Sequence, residues 1–394
     1  MKHSDLLGRV QESATLKMTR MAREIREQGH EVISLSIGEP DFNTPEAIKD
    51  AAKSAMDNNI TKYPPVNGFP ELRKAISDKL QRENNASFSP EQIVVSTGAK
   101  QSLINIVLAT VNPGDEVVIP APFWVSYPEM VNVAGGTVVE ITTDIQAGFK
   151  VSPTQLENAL TAKSKLVIIS SPSNPTGAMY TPQEMEAIAA VIARYPHVTL
   201  ISDEIYEYIT YGKDFKSFGT IPSIKDQLVI VNGVSKGFAM TGWRLGFCAA
   251  PLPLAQAMTK IQGQFTSGAS SISQMAAKKA FEMGRDTVRY MVESFEERRD
   301  YLVEALNEIE GIDCLVPDGA FYVYPYVQQL LDKTYKGRHI TTDDELCMYF
   351  LEEGHIAMVP GSAFGTPGYL RLSYATDMKS LQTAVSKIKH CLSL

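Results

Sequence analysis

Five short apolar runs do most to constrain the fold of this 394-residue chain. They lie at 93–95, 117–120, 165–170, 198–202 and 228–231, and valine and isoleucine dominate them. Each is too short for a helix and lacks the in–out alternation of a half-exposed strand. Each therefore reads as a strand buried on both faces. Longer stretches with helical patterning separate them, including 102–111 and a run from about 183 to 195 that stops before Pro196. This alternation specifies an α/β fold, with a mainly parallel sheet covered by helices.

Open sheets of this kind bind ligands beyond the carboxyl ends of their strands. Here the first run leads into Gly98-Ala99-Lys100, the second into Trp124 and the third into Asn174. The fourth ends at Asp203 with Tyr206 just beyond, and the fifth leads to Lys236, with Arg244 eight residues later. Five such coincidences outweigh any one of them.

Each residue also has a plainer reading. A lysine just past a buried strand is a nucleophile once desolvation lowers its pKa, but it also reads as half of a buried ion pair. The small-residue turn at Gly98 offers unpaired N–H groups and a helix N-terminus to an anion, as many α/β turns do. Trp124 stacks on a flat ring or fills the core. Asn174-Pro175-Thr176-Gly177 is a turn by composition. Asp203 and Glu204 suit a helix N-terminus. Gly38 ends a strand-like stretch and lets backbone approach a ligand closely. Ser13 or Thr15 caps a helix that ends at Gly29. Tyr63 lies in a proline-rich loop. In the alternating stretch 369–375, Arg371 falls on the polar face opposite Leu370, Leu372 and Tyr374. Its planar fork suits a carboxylate, although an arginine there is ordinarily solvated.

Ser235-Lys236, followed by Ala239-Met240-Thr241-Gly242-Trp243-Arg244, resembles the cofactor-lysine signature of the class I aminotransferases. These are fold type I enzymes dependent on pyridoxal phosphate (PLP), and the resemblance runs from about Ser13 to the C-terminus. It implies a large PLP-binding domain over 45–285. A smaller α+β domain is formed by 1–44 with 286–394. It implies that Lys236 carries PLP as a Schiff base and moves the substrate proton. Asp203 holds the pyridine nitrogen protonated, and Tyr206 and Asn174 reach the phenolic oxygen. Trp124 stacks on the ring, while Gly98, Ala99, Lys100 and Arg244 hold the phosphate. Tyr63 is implied to reach the phosphate of a neighbouring subunit, hence a homodimer. Gly38, Trp124, Asn174 and Arg371 face the substrate, with Arg371 clamping its α-carboxylate. Thr15 and Lys100 are implied in side-chain specificity. The chain has Gly233 where many relatives have a phosphate-binding serine, so Ser235 stays outside this set.

The implied activity is aspartate:2-oxoglutarate amino transfer. Prephenate or aromatic amino-acid transfer is the alternative, and a carbon–sulfur β-lyase is a further one. A transcription regulator with an aminotransferase-like sensor domain needs a DNA-binding segment ahead of it. About 30 residues precede Gly38, too few for one. The net charge of −8 argues against nucleic acid or anionic membrane as the main partner. No apolar run reaches transmembrane length, and no signal-peptide hydrophobic region opens the chain, so a cytoplasmic protein is expected. The four cysteines show no CxxC spacing and the six histidines no HxxxH pair, so no metal site is expected.

Overall fold

In the computed structural model, which describes residues 3–393, the five apolar runs are five strands of one sheet. We number its strands β1 (Ile93–Ser96), β2 (Glu116–Ala121), β3 (Thr137–Thr142), β4 (Ser164–Ser170), β5 (Thr199–Asp203), β6 (Leu228–Gly233) and β7 (Gly246–Ala249). Their spatial order is β1-β7-β6-β5-β4-β2-β3. Only β7 runs antiparallel to its neighbours; the remaining pairs are parallel.

Side chains alternate across a strand, so a run buried on both faces must feed two cores. Ile93, Val95, Leu228 and Ile230 pack on one side of the sheet. Val94, Val229 and Val231 pack on the other, where Leu103, Ile106 and Met258 of the helices Ala99–Thr110 and Leu252–Phe265 cover them.

The two strands with no counterpart among the five runs are β3 and β7. β3 is one edge of the sheet and half of its residues face solvent, so its sequence lacks a continuous buried stretch. β7 is Gly-Phe-Cys-Ala, which lacks the valine and isoleucine run that marks the other buried strands.

The C-terminal part adds the helices Arg289–Asn307, Asp343–Gly354 and Met378–Leu392, and a small antiparallel sheet of Tyr322–Val323, Leu370–Ser373 and Val359–Pro360. The N-terminal segment joins it. Ile33–Ser34 pairs in parallel with Ile356–Ala357, and Ser373 donates its N–H to the Leu35 carbonyl at 2.7 Å.

The helix Arg289–Asn307 is set off from the preceding helix by Gly284, at a φ of +73°, and by a single 3-10 turn. The strand that carries Tyr322 is only two residues long, Tyr322–Val323. Ser13 occupies the N-cap of the helix Ala14–Glu27 without a side-chain bond, and Gly29 follows its end with positive φ. All four cysteines are free and buried. Among the described residues, no helix is long and apolar enough to cross a membrane.

Candidate active site

A cavity of about 510 Å³ opens at the carboxyl end of the sheet. Strand-end loops aim Trp124, Asn174, Asp203, Tyr206 and Lys236 into it. The C-terminal sheet contributes Arg371, and the N-terminal segment contributes Thr15 and Gly38. Residues more than 300 positions apart thus meet at one point, which only the tertiary fold brings about.

The Lys236 amine donates a hydrogen bond to the Gly38 carbonyl. It lies 5.8 Å from the ring centres of Tyr206 and Phe321. Burial, helped by the positive charges of Arg371 and Arg244, brings this amine down to about 8, against the opposing pull of Glu39 and Asp203. A neutral amine is therefore well populated near physiological pH, as a nucleophile and a proton carrier both require.

Asp203 is buried and accepts from the Tyr127 hydroxyl at 2.7 Å and from the Ile205 N–H at 3.2 Å. Burial outweighs these donors and lifts its carboxyl to about 6. The two consecutive acids are separated by the strand's alternation. Glu204 points into the core, where the hydroxyls of Ser202 and Ser217 bind it at 2.9 and 2.8 Å. Only Asp203 serves the cavity.

Arg371 differs most from the solvated reading of its strand. It is 2 % exposed. One terminal nitrogen donates to the Asn174 side-chain oxygen at 3.1 Å and the other to the Ser36 carbonyl at 2.5 Å. Its Nε has no partner. The guanidinium lies between the rings of Tyr322 and Phe364, at 4.7 and 5.2 Å. A buried, undercompensated cation facing a cavity is a site for an anion.

On the opposite wall, Arg244 donates to the Thr241 carbonyl at 3.0 Å, and its guanidinium packs on Gly98. Gly98 has φ +83°, and a β-carbon there would stand 2.5 Å from Arg244 Nη2. Gly98 is thus fixed by both backbone and space, although it lies behind the lining formed by Ala99 and Lys100. Lys100 sits 4.9 Å over the Trp124 ring, its amine lowered by burial and by the Arg244 charge. Tyr63 is 97 % exposed and does not line its own chain's cavity.

Sequence reasoning gave no role to Tyr127, Tyr322 or Glu39. Tyr127 stands edge-on to Trp124 with its hydroxyl on Asp203. Tyr322 bonds Tyr206, and Glu39 accepts from Thr241. The one available signal was Tyr127's position three residues after Trp124, in the first turn of the helix Ser126–Ala134.

This set of residues suits PLP. Among the described residues Asp203 forms no ion pair, the Lys236 charge acting on it only from a distance; Arg371 Nε lacks any partner, and Arg244 packs so closely on Gly98 that a β-carbon there would collide with it. A strand-end lysine above such a sheet is the arrangement of the fold type I PLP-dependent transferases. The chain belongs to the aminotransferase class I and II family, whose model matches residues 30–388, and its cofactor is PLP.

It is 45 % identical to an aspartate/prephenate aminotransferase of Nitrosomonas europaea, over the full length of both. The aspartate aminotransferase of Rhizobium meliloti superposes with a TM-score of 0.97 at 42 % identity, covering 100 % of this chain and 99 % of that one. The Thermus thermophilus aspartate aminotransferase with maleate superposes at 0.93 and 38 % identity, covering 99 % and 100 %.

Proposed function

We propose that this chain transfers the amino group of aspartate to 2-oxoglutarate, giving oxaloacetate and glutamate by a ping-pong sequence. The observation that carries this reading is the shared cavity of one deprotonable lysine and two cations on different walls, Arg371 and Lys100. A dicarboxylate substrate needs one cation for each carboxylate. The likeness to the aspartate aminotransferases of Rhizobium meliloti and Thermus thermophilus supports the same choice.

When bound, PLP supplies an electron sink for the electron pair released at the substrate α-carbon. Arg371 orients the α-carboxylate, its fork held by Asn174 and Ser36. Gly38 leaves space beside it, because any β-carbon there would meet the Tyr322 hydroxyl. Lys236 Nζ, neutral above about pH 8, would take the substrate α-proton and hold it, so this amine can serve as base and then as acid. Asp203 would hold the ring nitrogen of PLP protonated, Tyr206 and Asn174 would serve its phenolic oxygen, and Trp124 would pack against its ring. The backbone N–H groups of Ala99 and Lys100, at the N-terminus of the helix Ala99–Thr110, would hold the phosphate together with Arg244, leaving the Lys100 ammonium for the substrate.

The exposure of Tyr63 supports a homodimer in which this tyrosine reaches the neighbouring active site. The cytoplasm is the proposed location. The pairing of 33–35 with C-terminal strands supports a small domain made of 1–44 and 286–394 beside the large domain at 45–285. Prephenate is a second acceptor reading, favoured by the aspartate/prephenate name of the Nitrosomonas relative. Lys100 and Thr15, both on the cavity wall, would meet its second carboxylate.

The test is a half-reaction. The PLP-loaded protein without oxo acid is mixed separately with aspartate, glutamate, phenylalanine and cysteine and followed by absorbance. Conversion to the amino form of the cofactor by aspartate and glutamate supports the proposal. Preference for phenylalanine overturns the substrate, and pyruvate release from cysteine without that conversion overturns the reaction class.

A further inference from the structure

Tyr322 stands where three parts of the site meet. It is fully buried on the strand Tyr322–Val323. Its hydroxyl lies 2.8 Å from that of Tyr206, and its ring lies 4.7 Å from the Arg371 guanidinium. The same hydroxyl abuts Gly38. Tyr206 comes from the loop after β5, whereas Tyr322 and Arg371 come from the C-terminal sheet. The pair therefore bridges the cofactor side and the substrate side of the cavity.

We propose that Tyr322 is a positioning residue: its hydroxyl donates to Tyr206 and strengthens Tyr206 as a donor to the phenolic oxygen of PLP, while its ring is the shelf that holds Arg371 for the substrate carboxylate. The first half rests on the reading of Tyr206 given above.

The argument is a proton count. A phenol carries a single hydrogen. Once Tyr206 gives its hydrogen to the cofactor oxygen, it meets Tyr322 only as an acceptor, so Tyr322 must be the donor. Among the described residues, Tyr206 is the hydrogen-bond partner of the Tyr322 hydroxyl, so no other acceptor competes. Hydrogen bonds in series polarise one another, and most strongly where water is excluded.

The shelf follows from geometry. Asn174 and Ser36 hold the two ends of the Arg371 fork, and Tyr322 and Phe364 hold its two faces. With the tyrosine ring removed, one face stands open and the fork can tilt. The guanidinium–ring contact itself is of a kind that matters most where it is desolvated, as here.

Three variants of the holoenzyme separate the parts: Tyr322→Phe, Tyr322→Leu and Tyr206→Phe. The readouts are the pH at which the visible cofactor band titrates and the Kd for maleate, a non-reacting dicarboxylate. Tyr206→Phe is expected to raise the titration pH by about one unit. Tyr322→Phe is expected to raise it by about half a unit, and to add nothing in the Tyr206→Phe background. Maleate affinity is expected to hold within about twofold in Tyr322→Phe, which keeps the ring, and to weaken by about tenfold in Tyr322→Leu.

A shift in Tyr206→Phe with none in Tyr322→Phe overturns the relay while leaving the role of Tyr206 intact. No shift in Tyr206→Phe removes that role, and the relay with it. Equal maleate affinity in Tyr322→Leu and Tyr322→Phe overturns the shelf.

Discussion

The Asp203→Asn substitution tests the electrostatic reading of the site without touching its shape. Burial lifts the Asp203 carboxyl from its ordinary 3.8 to about 6, despite hydrogen bonds from Tyr127 and Ile205. At 1.36 kcal/mol per pH unit, ionising it in the ligand-free protein costs ~3 kcal/mol. The sign follows from proton linkage. Between about pH 4 and 6 the folded chain holds a proton that the unfolded chain has lost, so this residue's contribution to stability falls as pH rises through that window. Above about 6 the penalty is complete and constant.

An asparagine accepts from the Ile205 N–H and donates to the Tyr127 hydroxyl, so both hydrogen bonds survive. The ligand-free variant should therefore exceed the ligand-free wild type by ~2–3 kcal/mol at pH 8, and by far less at pH 4.5. Loading with PLP should reverse this. The protonated ring nitrogen offsets the charge only of aspartate, so the loaded variant should lose on the order of 10²-fold in kcat. Urea denaturation of both forms at the two pH values, with steady-state kinetics, measures all three quantities. A ligand-free variant no more stable than wild type at pH 8, or a gap equal at both pH values, refutes the claim that Asp203 is held at a cost until a cation reaches it.

The rate at which ligand-free protein captures PLP should rise with pH and level off above about 8, because Lys236 is the amine that must be neutral; a stopped-flow rate still climbing past pH 10 would point to an ordinary solvated lysine. Lys236→Ala should abolish the visible band of the covalently held cofactor, and its persistence would remove the assignment. Gly98→Ala puts a β-carbon 2.5 Å from Arg244 at a φ of +83°, a backbone state open essentially to glycine alone. It should lower stability by about 1–3 kcal/mol and weaken PLP retention, measured by melting and by dialysis against phosphate. Lys100→Ala should raise KM for aspartate by about tenfold or more while changing that of a neutral amino acid little; equal changes would take Lys100 out of substrate recognition.

The sheet's interior and its ligand edge are legible from local stretches of sequence alone. A strand buried on both faces is apolar on both, so the near-continuous apolar runs 93–95, 165–170, 198–202 and 228–231 declare themselves without any partner in view. The chemistry-bearing residues sit within a few positions of those strand ends, so Asp203, Asn174 and Lys236 were legible together. Edge strand β3 was not, because a half-exposed strand has no such constraint. The rest depended on contacts between distant segments. Arg371 looks solvated in its own alternating strand, and it is buried only because Tyr322, Phe364 and the N-terminal segment close over it. Tyr127 and Tyr322 acquire meaning only from the hydroxyls and carboxylates opposite them. Depressing the Lys236 amine also required the tertiary structure, since burial and the nearby arginines are properties of the assembled cavity and not of any one stretch of chain.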